Sequence, residues 1–367
     1  MTTAATRKIV CIVGTRPEVV KMAPVIRTLR DEPRFHLIVM CSGQHRDLLA
    51  PLLDWFDIAV DDNLDVMTEN QSLAALTSRL MTSFETHFTA AQPDLVIAQG
   101  DTTTVMCAAL VCFYRKIPFA HVEAGLRTFD LHNPFPEEFN RVVAGRLASF
   151  HFCPTQRAAQ NVLAEHAAPA AVHITGNTVI DALQFTTAKL GREARPGRKH
   201  EVLLTAHRRE NFGAPLENVF RAVIELCAQF PQISLLYPVH PNPNVKKLAY
   251  DMLGNHPQVT LTEPLSYPQL VQAMQDARFV LTDSGGIQEE APALGKPVLV
   301  LREVTERPEA VELGVAKLVG TDTGVIVAEC RRLLTDSAYY EAMARGGSPY
   351  GDGRAAERIA RILHDQI

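Results

Sequence analysis

Carboxylates stand in this sequence where apolar runs stop. Asp101 follows Asp94–Gln99 and leads into three threonines, Thr102 to Thr104. Glu123 follows Pro118–Val122 and lies two residues before Gly125. Glu137 and Glu138 come directly after Pro134-Phe135-Pro136, at the start of a helix whose dipole favours an acid. Three carboxylates, Asp101, Glu123 and Glu137, at successive strand ends suit general acid and base work on a bound substrate. Each also has a plainer reading: Asp101 could simply cap the helix after it.

Other strand ends carry the groups that hold anions. Gly14-Thr15-Arg16-Pro17-Glu18, with Lys21 one turn on, sets two cations around a helix start. His207, Arg208 and Arg209 follow the apolar run Val202–Ala206, and His240 ends another in YPVHPNP. In TDSGGIQEE, residues 282–290, Gly285 and Gly286 let backbone N–H groups approach a ligand just as a helix begins. With Ser284 they form a phosphate cradle. Glu290, one turn in, is placed for ribose hydroxyls, and Arg307 adds a cation after a later strand. The cluster Gly43-Gln44-His45-Arg46-Asp47 reads equally as part of a site or as a capped helix start. Taken together these residues describe a site for a diphosphate and a sugar.

The elements that must position them alternate from end to end. Lys8–Gly14, Phe35–Cys41, Asp94–Gln99, Pro118–Val122 and His151–Cys153 read as buried strands, with helical spacing over Pro17–Arg30 and Thr102–Tyr114. The pattern restarts with strands at Val202–Ala206, Ile233–Val239, Val259–Thr262, Phe279–Asp283 and Pro297–Leu301. Such alternation predicts two doubly wound α/β domains of parallel strands facing across a cleft. We expect the first over residues 1–173, the second over 174–350, and a last helix within 351–367 that returns to the first. Gly191–His200 reads as a surface loop.

Composition narrows the function classes. A chain of 367 residues, 47% apolar and 21% charged, is long enough for two cores. Its net charge of -5 argues against nucleic acid or an anionic membrane as main partner. Its apolar stretches fall short of the roughly 20 residues that span a bilayer. The polar start, Met1 to Lys8, lacks the layout of a signal peptide, which predicts a cytoplasmic protein. The seven cysteines form no C-x-x-C and read as buried reduced thiols, with no metal site. No G-x-G-x-x-G follows the first strand, so the dinucleotide fingerprint is missing.

At these motifs the chain resembles the non-hydrolysing bacterial UDP-N-acetylglucosamine 2-epimerases. The matching segments are GTRPEVVKMAP, GDTTT, HVEAGLRT, PFPEE, GNTVIDAL, AHRREN, YPVHPNP, LTDSGGIQEEAPALGKPVL, TERPEAV and SPYGDG, in order from Gly14 to Gly353. The resemblance implies the GT-B arrangement of two Rossmann-like domains, no cofactor, UDP-GlcNAc and UDP as partners, and a homodimer. It implies catalytic roles for Asp101, Glu123, Glu137 and His207. It places Arg16, Lys21, Ser284, Gly285, Gly286, Glu290 and Arg307 at the substrate, and Gln44, Arg208 and His240 at a second, activating UDP-sugar site. Asp47 and Asn70 depart from the Gln and Arg of some relatives there, as Leu265 and Leu270 do from a Gln and an aromatic near the uracil.

The implied reaction is reversible inversion at C2 by elimination and re-addition of UDP through a 2-acetamidoglucal, feeding ManNAc-type sugars to cell-surface polysaccharide. That C–H is not next to a carbonyl, so expulsion of UDP from C1 must acidify it. The cations serve the departing diphosphate and the carboxylates serve C2. A hydrolysing 2-epimerase, a GT-B glycosyltransferase and a non-catalytic UDP-sugar sensor remain as alternatives.

Overall fold

The computed structural model describes residues 6–43, 46–66, 68, 71–191, 200–345 and 347–367. It contains two parallel sheets. The first joins β1 (Arg7–Val13), β2 (Phe35–Cys41), β3 (Asp62–Asn63), β4 (Leu95–Gln99), β5 (Phe119–Val122), β6 (Phe150–Cys153) and β7 (Val172–Ile174) in the order β3-β2-β1-β4-β5-β6-β7. The second joins β8 (Val202–Thr205), β9 (Leu235–Pro238), β10 (Val259–Thr262), β11 (Phe279–Thr282), β12 (Val298–Val300) and β13 (Ala316–Leu318) in the order β10-β9-β8-β11-β12-β13. Both are doubly wound. The order reverses between β1 and β4, paired Ile9 to Leu95, and between β8 and β11, paired Thr205 to Thr282. Ligands of such sheets bind beyond the strand ends at that reversal.

Helices cover both faces of a doubly wound sheet, so its strands are near-continuous apolar runs. Ile9 to Val13 and Leu95 to Ala98 are buried, as are Val202 to Leu204. The Thr103–Arg115 helix sets Val105, Cys107, Ala108, Val111 and Cys112 against the first sheet; Ala214–Gln229 sets Leu216, Val219, Phe220 and Val223 against the second. One long helix escaped the sequence reading. Leu73–Ala91 begins at a Ser72 N-cap and buries Leu80, Phe84 and Phe88, one face at i, i+4 and i+8.

The chain divides into two compact units, Met1–Ala182 with Tyr350–Ile367, and Leu183–Pro349. The line falls inside the Thr178–Leu190 helix rather than before it. Its first turns are held to the first unit by hydrogen bonds. The Asn177 N–H donates to the Tyr350 carbonyl at 2.7 Å, and Asp181 accepts from the N–H groups of Ala355 and Ala356 at 3.2 and 2.8 Å. The final helix, Ala355–Gln366, lies against Arg16–Arg30 and buries Ile359 and Leu363. Most of the Gly191–His200 stretch, and Gln44 with Asn70, lie outside the described residues. All seven cysteines are buried and none forms a disulfide, and burial pushes the Cys107 thiol up to about 12. Among the described residues no helix is long and apolar enough to cross a membrane.

Candidate active site

In the first unit the chemistry gathers around the β1/β4 reversal. Pro17 occupies the first turn of the Arg16–Arg30 helix, and Thr15 and Glu18 form a reciprocal capping box. Glu18 goes further. One carboxylate oxygen accepts from the N–H groups of Gly14 and Thr15, each at 2.7 Å, and the other from the Thr102 hydroxyl at 2.7 Å. It therefore ties the loop after β1 to the loop after β4. Burial pushes its carboxyl above the usual range, against the pull of these donors.

One turn on, the buried Lys21 ammonium meets Glu123 Oε1 at 2.5 Å. The side-chain amides of Gln99 and Asn177 also donate to Glu123, the latter at 3.2 Å. An ammonium and two amide N–H groups converging on one carboxyl suit its ionised form. The backbone is shaped for this aim: Glu123 sits at φ +62°, a left-handed conformation that costs a non-glycine residue about 1–3 kcal/mol. Gly125 two residues later, at φ +89°, admits no side chain, since a Cβ would lie 2.1 Å from the Ala158 carbonyl oxygen.

Asp101 does not cap the next helix. Thr102 does so, accepting from the Val105 N–H. Asp101 instead receives two N–H bonds from Arg141, at 2.9 and 2.6 Å, while Asn140 holds its carbonyl at 2.8 Å. Arg141 also binds Glu138 at 3.1 Å. Glu138 is buried and accepts from the N–H groups of Thr128 and Phe129. Glu137, half-buried at the first position of the same helix, makes no hydrogen bond among the described residues. Of the two glutamates, Glu138 is thus the structural support. His121 supports the same edge: its Nε2–H donates to the Gly100 carbonyl at 2.7 Å, and burial lowers its pKa to about 4, so the ring is neutral. Arg16 stands exposed at the helix start without a hydrogen bond among the described residues.

In the second unit the groups gather at β8/β11. Asp283, wholly buried, accepts through Oδ2 from the N–H groups of His207 and Arg208 and from the Asn211 amide, at 2.9, 2.8 and 3.0 Å. The His207 ring stacks on His240, with centroids 5.2 Å apart and planes at 13°. The Arg208 guanidinium lies 4.0 Å from Glu306. The Ser284 N–H is taken by the Thr282 hydroxyl at 2.9 Å, while Gly285 and Gly286 open the Gly285–Ala293 helix. Gly285 has a reason the sequence did not disclose: a Cβ there would fall 2.6 Å from the Arg307 guanidinium. Arg307 is fixed by Glu289 at 2.7 Å and by Glu306 at 3.4 Å. Burial works to raise the Glu306 carboxyl, but Arg307 and Arg302 outweigh it and hold the pKa at about 2. Glu290 accepts from the Tyr267 hydroxyl at 2.8 Å, whose own proton is held tightly by burial beside that carboxylate.

The structure thus joins Lys21 to Glu123, which the sequence placed in separate roles, and brings His207, Arg208 and His240 into one cluster. Among the described residues no group of three His, Cys, Asp or Glu side chains could hold a metal.

Comparison with known proteins identifies the family. The family described as UDP-N-acetylglucosamine 2-epimerase matches residues 27–364. The UDP-N-acetylglucosamine 2-epimerase of Escherichia coli K12 is 45% identical over 368 residues, covering 97% of this chain and 98% of the relative. That of Salmonella typhimurium is 44% identical, with the same coverage of 97% and 98%. A crystal structure of UDP-GlcNAc 2-epimerase from Neisseria meningitidis bound to UDP-GlcNAc is similar at TM-score 0.92 and 43% identity, covering 98% of this chain and all of that one.

Proposed function

The chain belongs to the UDP-N-acetylglucosamine 2-epimerase family and is an isomerase of GT-B fold, and from that premise we propose how its residues invert C2. The substrate is UDP-GlcNAc and the product UDP-ManNAc. UDP leaves C1, a proton leaves C2, and the 2-acetamidoglucal so formed is protonated from the opposite face before UDP returns. His207, Arg307 and Arg16 stabilise the departing diphosphate. Glu123, Asp101 and Glu137 exchange protons with C2. Ser284 to Gly286 approach the phosphates, Glu290 serves the ribose, and Gln44, Arg208 and His240 take a second UDP-sugar. The reading also includes a cytoplasmic homodimer that supplies ManNAc-type sugars for polysaccharide.

The arrangement around Glu123 carries this reading. A buried carboxylate held by Lys21, Gln99 and Asn177 is fixed in place, so proton abstraction by it needs no reorganisation of the side chain. In this reading Lys21 supports the base. Asp101, one strand over beside Arg141, is the second carboxylate within the same unit.

The test is an NMR time course of UDP-GlcNAc in D2O with no added cofactor. UDP-ManNAc bearing deuterium at C2 is the expected product. Retention of the substrate hydrogen at C2 would refute elimination, and free ManNAc plus UDP would make the enzyme a hydrolysing one.

A further inference from the structure

We propose that Asp283 is the positioning residue of His207, fixing its main chain through one carboxylate oxygen and pairing with its imidazolium through the other. The inference rests on the reading of His207 as the group that meets the departing diphosphate.

Asp283 is the first residue beyond β11 and is wholly buried. Its Oδ2 is saturated by three N–H donors, two of them from the backbone of His207 and Arg208. Its Oδ1 is buried too, and has no hydrogen-bond partner. An unpartnered buried carboxylate oxygen is costly and calls for a purpose. It lies 3.6 Å from Nδ1 of His207. That is too long for a hydrogen bond, yet a small rotation of either side chain closes it. The His240 ring, stacked nearly parallel on His207, restricts the imidazole from turning Nδ1 away.

The charged groups facing His207 set the proton affinity of its ring. Burial lowers the proton affinity of the ring most, Asp283 raises it, and His240 and Arg208 lower it further. His240 comes from the loop after β9 and Arg208 from the loop of His207 itself, where Glu306 partly offsets it. A diphosphate at Nε2 adds the negative charge that tips this balance. The ring then takes one proton from solvent. Nε2–H donates to a phosphate oxygen and Nδ1–H to Oδ1 of Asp283, and no covalent bond changes. Asp283 thus acts on the substrate only through His207.

The experiment uses the enzyme labelled with 15N-histidine, UDP as ligand, and His207→Ala to assign the signal. In the wild type, UDP should bring both His207 nitrogens to the protonated state near neutral pH. In Asp283→Asn, which keeps an oxygen for the loop N–H groups, His207 should titrate lower by about one pH unit or more, the effect of removing an adjacent opposite charge. The alkaline limb of kcat/KM should move down by the same amount, with the melting temperature as a control on folding. If Asp283→Asn does not fold, the wild-type spectrum decides: a UDP complex whose His207 keeps a bare Nδ1 overturns the proposal. An unshifted limb in folded Asp283→Asn overturns it as well, provided His207→Ala is slow. A His207→Ala enzyme of normal kcat would instead remove the parent reading.

Discussion

Each unit reverses its strand order beside its first strand, and at each reversal a buried carboxylate ties together the loops after the first and fourth strands. The two ties differ in origin. In the first unit the tie is Glu18, which comes from the helix after β1 and reaches Thr102. In the second it is Asp283, which comes from the end of β11 and reaches the His207 loop. Among the described residues the Glu18 carboxylate accepts only from N–H and hydroxyl groups of the loops, and the groups proposed for proton transfer, Glu123 and Asp101, have Lys21 and Arg141 as their own supports. Asp283 both holds the His207 loop and neighbours the His207 ring. In the first unit the loop tie stands apart from the groups proposed for proton transfer, and in the second it lies beside the ring proposed to meet the diphosphate.

The strongest test of that contrast sets Glu123→Gln against Glu18→Gln. Losing a general base should cost about 10²–10⁴-fold in kcat, so Glu123→Gln should be nearly inactive while folded. Glu18→Gln disturbs three hydrogen bonds, one of them fully buried, and should cost about 1–3 kcal/mol of stability in urea unfolding, with most of the turnover kept below its melting point. Equal losses of kcat in the two variants would erase the distinction.

Acid should separate the units next. His121 and His151 face each other on β5 and β6, and burial lowers both to about 4 in the folded protein. An unfolded histidine titrates near 6.5. The unfolded state therefore binds more protons below that value, and stability present above it is lost as pH falls toward 4. By pH 5 the loss is about 2 kcal/mol for each ring. The strands of the second sheet carry no histidine. Hydrogen exchange near pH 5 should therefore open β5 and β6 before β8 and β11, and the reverse order would contradict this account.

The smallest effect concerns neighbouring glycines. Gly285→Val should weaken UDP binding by about 1–3 kcal/mol, the cost of leaving a polar group unpaired, because the side chain displaces Arg307 from Glu289. Gly286→Ala meets only Glu290 at 3.6 Å, an ordinary contact, and should bind UDP like the parent by calorimetry. Equal weakening by both would assign the effect to backbone approach instead.

The strand ends were legible because a buried parallel strand is an unbroken apolar run, so that whatever polar residue follows marks the sheet edge. Asp101, Glu123, His207 and Ser284 were found in that way. Their partners were not. Gln99 and Asn177 are ordinary amides in the sequence, and only the strand order brings them to Glu123. Glu137 and Glu138 share one helix start, and side-chain direction alone decides which turns inward. Thr102 displaced Asp101 as the cap because Arg141, forty residues on, claims the aspartate. Glu18 closes a capping box that the sequence reading passed over, and its longer reach to Thr102 depends on the β1 and β4 pairing.

The tie between Asp181 and the N–H groups of Ala355 and Ala356 has a consequence for biosynthesis. The first unit is interrupted by the second and closed by the last residues of the chain. On the ribosome the second unit has its whole sequence before the first does. The sheet bearing Glu123 and Asp101 waits for the final helix to cover Arg16–Arg30. A message truncated just before Ala355 would encode Asp101, Glu123, His207 and Asp283 and still leave the first unit without its outer wall.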